Sequence, residues 1–220
     1  RFRHLKLYIL ALPNYNLYEL VFIKLHHIYQ SLKFKILWKY MAEFIYIDNS
    51  NLTIEGMRLS AVKTGKARSF QDSIDNKIFD QTFRIDFGNL HSFIAGDDPL
   101  QIKRCMFFGS TPPTTDSIWK MAEKAGFEVV TQKRNAKNKE KQVDTGLVGQ
   151  MVRDAYRNVD IEKDTITIVS GDADFTTNVE MLVADGFNVE VVFWGQCASS
   201  LKQACKKFIN LDAHMDHLKY

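Results

Sequence analysis

Apolar residues along this chain fall into short dense runs, and from position 42 onward those runs alternate between two periods. Residues 43–47 (EFIYI), 103–108, 127–131 (FEVVT), Thr165–Val169 (TITIV), Asn188–Phe193 and 208–211 are β-branched or aromatic runs with the length of buried strands. Between them lie stretches with helical spacing. One opens after Asn49, Ser50 and Asn51. Another runs over 86–94, with Asp86 at its N-cap, and a third starts at Thr115 or Asp116 and places Ile118, Trp119, Met121, Ala122 and Ala125 on one face. The helix predicted over 145–158 puts Leu147, Val148, Met151, Val152, Ala155 and Tyr156 on one side, and shorter helices follow over 175–184 and 199–206. Gly126 and Gly186 stand where left-handed helix stops are needed. Residues 60–83 are polar and irregular, and the pattern predicts a mobile loop with a short helix.

Alternation of this kind implies an α/β fold: a three-layer sandwich with a mostly parallel central sheet, helices on both faces and right-handed crossovers. Ligands of such sheets bind outside the carboxyl ends of the strands. At 220 residues the chain has room for one sizeable domain and an appendage. We divide it into an N-terminal helical extension (1–41), a catalytic-type domain (42–212) and a C-terminal tail (213–220).

Charge changes the picture of the extension. The formal charge of +3 conceals a net +6 on residues 1–41 and a net −3 on the rest. Weak basicity therefore belongs to the extension and not to the domain. Residues 15–31 read as one apolar helix, with 32–40 unassigned, and residues 15–40 offer a contact for a partner or a second copy. The apolar stretch over 17–28 is broken by Glu19, Lys24 and His26, and falls short of the roughly 20 residues that span a bilayer. Its interleaved basic and aromatic residues leave a membrane-surface role open. Three cysteines (Cys105, Cys197, Cys205) without zinc spacing read as reduced thiols of a cytoplasmic protein.

The candidate chemistry is acidic. Asp48 follows the first strand, Asp172 and Asp174 follow the strand ending at Val169, and Asp144 stands at the start of a helix. Singly, each has an ordinary reading as a cap or turn residue. Gathered at one edge, they need compensation, because two carboxylates about 4 Å apart repel by about 4 kcal/mol at an effective dielectric near 20. Hard divalent cations, Mg²⁺ or Mn²⁺, supply it, and such a site performs phosphoryl-transfer chemistry with a metal-activated water. Neither a P-loop, a dinucleotide fingerprint nor a nucleophile elbow is present, so no nucleotide cofactor is expected. His214, His217, His26 and His27 lack partners in a zinc pattern, and Trp119 and Trp194 read as packing residues.

Five segments in order, residues 44–52 (FIYIDNSNL), 84–90 (RIDFGNL), 107–113 (FFGSTPP), 139–148 (KEKQVDTGLV) and 169–192 (VSGDADFTTNVEMLVADGFNVEVV), resemble the NYN domains of the PIN-like nuclease superfamily, and within them the LabA-like group. The resemblance spans about residues 43–210. It implies a metal-dependent endoribonuclease in which Asp48, Asp144, Asp172 and Asp174 are the acidic site residues and Asn51 is the polar residue after the first aspartate. Asp48 and Asp172 are the first choices as metal ligands. Asp144 and Asp174 would bind a second metal or hold its waters, and Asn51 would orient a water or a phosphate. The basic run over 133–141, with Lys133, Arg134, Lys137, Lys139 and Lys141, is the expected contact for single-stranded or structured RNA, and a solvated loop is its plain alternative. Ser110 and Thr111 are weaker candidates for phosphate hydrogen bonds.

Two departures stand out. Ala173 occupies a position where the family often carries serine, and residues 1–41 match nothing in it. An RNA-binding or scaffold module with little turnover is the alternative these features favour. A phosphatase with an Asp-x-Asp nucleophile fits poorly, because its motif would follow the first strand rather than stand at Asp172 and Asp174.

Overall fold

A computed structural model describes residues 23–26, 28–29, 41–96, 98–111, 117–133 and 141–220. It divides into two units, Arg1–Tyr40 and Met41–Tyr220. In the first, the described residues are helical, within the span read as a helix, and the rest of that span, with 32–40, lies outside the described residues. Among the described residues no helix is long and apolar enough to cross a membrane.

The second unit is built on six parallel strands: β1 (Glu43–Asp48), β2 (Ile102–Thr111), β3 (Glu128–Lys133), β4 (Thr165–Val169), β5 (Asn188–Phe193) and β6 (Lys207–Asn210). Their order in the sheet is β3-β2-β1-β4-β5-β6. Its described helices are α1 (Asn49–Lys63), α2 (Phe70–Asp75), α3 (Phe87–Ala95), α4 (Ser117–Lys124), α5 (Lys141–Asn158), α6 (Thr176–Ala184), α7 (Ser199–Ala204) and α8 (Met215–Leu218). The central strands are buried on both faces, which is why β1 and β4 read as continuous apolar runs. Each fully buried Ile, such as Ile45, Ile47, Ile166 and Ile168, contributes about 1.5–3 kcal/mol from removal of apolar surface.

Alternation along β1 assigns its two faces. Tyr46 turns toward α5, where its hydroxyl donates to Asp154 Oδ2 at 2.9 Å. Next to Ile47 in register is Phe107 of β2, which packs on Phe87 of α3 (ring centroids 5.2 Å apart) and Trp119 of α4 (6.2 Å). Asp48 shares the parity of Tyr46 and so faces the α5 side. This placement governs the site.

Several elements differ from the pattern-based expectation. Residues 60–83 are anchored, not a loose loop. Helix α1 continues to Lys63, α2 follows, and buried Asp80 organises the segment by accepting from Ser60 Oγ (2.7 Å), Thr82 Oγ1 (2.7 Å) and Lys66. Those hydrogen bonds, Lys66 first, hold the Asp80 carboxyl far below the usual range. Polar residues read as loop are thus the partners of one buried charge. Strands β2 and β3 run on to Thr111 and Lys133 because Gly109, Ser110 and Thr111 pair in register with Thr131, Gln132 and Lys133. Met121 and Tyr156 are exposed despite their apolar spacing. Residues assigned to a tail are part of the fold: Met215 and Leu218 are buried, and the Asp86 N–H donates to the Leu218 carbonyl at 2.9 Å. His214 lies against the Phe93 ring, centroids 4.6 Å apart. Trp194 is buried, its indole N–H donating to the Leu52 carbonyl at 2.8 Å, and Trp119 is buried against Phe107, so both are packing residues.

Candidate active site

Strand order reverses direction between β1 and β4, and a crevice opens outside their carboxyl ends. Asp48 is at once the last residue of β1 and the N-cap of α1, its Oδ1 accepting from the Asn51 N–H at 3.1 Å. Asp172 likewise caps the 3-10 turn Ala173–Phe175 by accepting from the Asp174 N–H at 2.9 Å. Both side chains thus act as caps and also line one cavity.

Asn51 joins the two strand ends. Its Oδ1 accepts from the Gly171 N–H at 2.8 Å and from Ser170 Oγ at 3.1 Å, and Ser170 Oγ also lies 3.4 Å from Asp48 Oδ2. A side chain at Gly171 would force a shift there, since its Cβ would stand 2.2 Å from the ring of buried Phe193. The carboxamide oxygen of Asn51 therefore positions the loop that carries Asp172. Its Nδ2 makes no hydrogen bond among the described residues.

Asp48, Asn51, Asp144 and Asp172 line one cavity of about 440 Å³, together with Ser50, Ile54, Glu55, Arg58, Ser110 and Val143. Asp174 is not in it. It lines a neighbouring cavity of about 300 Å³ with Asp144, Thr145, Val148, Phe175 and Asn178. In an extended chain, residues two apart share a side, but the 3-10 turn advances a third of a revolution per residue and sends Asp174 away from Asp172. Asp144, in the first turn of α5, lines both cavities; the helix begins at Lys141, not at Thr145. Of the basic run, Arg134, Lys137 and Lys139 lie outside the described residues, and Lys133 and Lys141 are placed only as the ends of β3 and α5. Ser110 lines the larger cavity from the end of β2.

Burial is the main electrostatic influence on Asp48. It pushes the carboxyl up to about 6, helped by the charge of Asp172 and opposed by the hydrogen bonds from Asn51 and Ser170. A carboxylate dehydrated in this way, beside another, gains from a nearby cation. Among the described residues no three Asp, Glu, His or Cys side chains converge as a ready-made metal cage. The donor set suits Mg²⁺ or Mn²⁺ held through one or two carboxylates and completed by water, the usual manner for Mg²⁺.

Glu55 and Arg58 escaped the sequence reading. Asn51, Glu55 and Arg58 are four and three residues apart, so one face of α1 carries all three into the cavity. Helical spacing from Asn51 was the available signal. Arg58 Nη1 donates to Glu55 Oε1 at 2.6 Å, and the guanidinium lies 5.1 Å from the centre of the Phe79 ring. Burial raises the Glu55 carboxyl and the Arg58 charge opposes it. Arg58 Nε is buried with no acceptor, an arrangement that costs about 1–3 kcal/mol.

A family model described as NYN domain matches residues 44–212, from β1 through β6. The chain belongs to the NYN domain family. This NYN domain thus includes Asp48, Asn51, Asp144, Asp172 and Asp174, and its assignment places the fold among the PIN-like nucleases. In structure the NYN protein is similar to the crystal structure of a protein of unknown function from Vibrio parahaemolyticus, with a TM-score of 0.56 at 15% identity, over 82% of this chain and 96% of that one. At that identity the likeness is one of fold. A comparison with curated proteins returns no match.

Proposed function

We propose that this NYN protein is a metal-dependent endoribonuclease that hydrolyses RNA phosphodiester bonds. The observation that carries the reading is the meeting of Asp48 and Asp172, from opposite sides of the β1/β4 reversal, in one cavity that Asp144 also lines. Asp48 and Asp172 would hold Mg²⁺ or Mn²⁺, whose chemistry when bound is to activate water near neutral pH and to offset charge on the phosphodiester. Asn51 keeps Asp172 in place through Gly171 and Ser170. Asp144 borders the same cavity and is the residue assigned to orient water and take up a proton. Ser110 offers a hydroxyl at its rim, and the lysines and arginine of 133–141 are assigned to the RNA backbone, with the salt sensitivity that such contacts bring.

The test is incubation of the full chain with single-stranded RNA in Mn²⁺ or in EDTA, beside an Asp172→Asn variant. Cleavage that needs Mn²⁺ and disappears with Asp172→Asn is expected. Metal-independent cleavage unaffected by the substitution would refute the reading. A second reading, an RNA-binding module with little turnover, is favoured by the seating of Asp174 in the neighbouring cavity. Tight RNA binding without cleavage across several RNAs in Mn²⁺ would establish it.

A further inference from the structure

The larger cavity holds an imbalance that the metal chemistry does not account for. Among the described residues, four carboxylates line it (Asp48, Glu55, Asp144 and Asp172) and Arg58 is the one cation. RNA is a polyanion, and a cation at Asp48 and Asp172 would leave the charge of Glu55 to be offset by Arg58. Arg58 lies ten residues beyond Asp48 on α1, about 15 Å along the helix axis, and of the four carboxylates it bonds Glu55.

Its present bonding is incomplete. The bond from Nη1 to Glu55 at 2.6 Å is the guanidinium's one hydrogen bond among the described residues. Nε is sealed from water without an acceptor, and Phe79 supports the side chain from 5.1 Å. A guanidinium fork suits two parallel hydrogen bonds to a phosphate. Glu55 occupies one end of the fork, and the remaining donors are unused. Turning toward a phosphate would bring Nε out of its unsatisfied position, so exchange of partners removes a penalty as well as gaining a bond.

We propose that Arg58 binds an RNA backbone phosphate flanking the one at Asp48 and Asp172, and that Glu55 holds the guanidinium in reserve until RNA enters. This rests on the reading of the cavity as a site for RNA. Arg58 is then a phosphate-binding residue, and Glu55 positions it.

The experiment uses the full chain as wild type, Arg58→Gln, Arg58→Lys and Glu55→Gln. Binding of a fluorescein-labelled oligouridylate is followed by anisotropy across a salt series, with Ca²⁺ replacing Mn²⁺ to suppress turnover, and cleavage is measured separately in Mn²⁺. Arg58→Gln is expected to weaken binding by about tenfold, the worth of a hydrogen bond between charged groups. It should also lower the slope of log K against log salt by about 0.7, the loss of one phosphate contact on a single strand. Arg58→Lys keeps the slope and loses part of the affinity, because a point charge replaces the fork. Glu55→Gln binds more tightly than wild type, and it also serves if Arg58→Gln is poorly folded by thermal melting.

If wild type cleaves RNA in Mn²⁺ while Arg58→Gln binds with unchanged affinity and slope, this inference is overturned and the proposed function stands. Reduced affinity and slope in Arg58→Gln, with no cleavage by wild type, keeps the inference and overturns the nuclease reading. Absence of RNA binding by wild type overturns both. Weaker binding by Glu55→Gln removes the reserve role of Glu55.

Discussion

Replacing Asn51 by alanine isolates the joint between the two acidic strand ends. The substitution deletes one acceptor that serves two donors, the Gly171 N–H at 2.8 Å and Ser170 Oγ at 3.1 Å. Ser170 keeps its contact with Asp48 Oδ2, and the cap of α1 survives because it uses the backbone N–H of residue 51. The loss therefore reduces to one part-buried N–H left without a partner, about 1–3 kcal/mol, less about 0.5 kcal/mol from the better helix propensity of alanine. A net loss of about 1.5 kcal/mol corresponds to a fall in melting temperature of about 5 °C for a domain of this size. Urea denaturation and thermal melting in EDTA measure it, and Mn²⁺-dependent cleavage measures its effect on Asp172. Cleavage should fall by more than the stability loss explains, because the loop carrying Asp172 is released while the fold persists. An Asn51→Ala protein as stable and as active as wild type would refute the joint. Asn51→Asp keeps the acceptor but adds a charge beside Asp48 and Asp172, so its stability should recover in acid, whereas that of Asn51→Ala should not.

Gly171→Ala should destabilise by about 1–3 kcal/mol in urea denaturation, since its methyl group meets the buried Phe193 ring; retention of full stability would show that the loop shifts freely. Asp154→Ala should cost about 3–5 kcal/mol in the same assay, because Tyr46, Gln150, Asn158 and Arg104 all lose the buried carboxylate they share. Glu43, half-buried at the start of β1, has its carboxyl pushed up to about 7, by burial first and then by the charge of Glu190. The folded state therefore keeps a proton that the unfolded chain releases near pH 4.5, and stability declines as pH rises from about 4.5 through 7. With allowance for solvent screening the decline is about 1–2 kcal/mol. Glu43→Gln should remove that part of the pH dependence, and an unchanged profile would exclude Glu43 as its source.

Much of the architecture was legible because the strands are short, apolar and fully buried. The runs at Thr165–Val169 and Asn188–Phe193 coincide with β4 and β5, and Gly126 and Gly186 adopt the positive φ of helix stops (107° and 98°). Reading failed where a polar residue was satisfied from a distance. Asp80 draws on Ser60, 20 positions earlier, and the terminal residues are held by Phe93 of α3 and by Asp86, which precedes that helix. Local pattern registers polarity but not the partner that pays for it.

The linear chain by itself determined the element order, the acids at the ends of β1 and β4 and the family they belong to. It could do so because hydrophobic period and cap chemistry are local properties, written within a few residues. Only the tertiary structure decided which acids share a space. Strand order brings Asp48 to Asp172 across 124 positions, a 3-10 turn sends Asp174 into another cavity, and helical phase adds Glu55 and Arg58. Convergence of side chains depends on sheet topology and rotation about element axes, and neither is a property of any single segment.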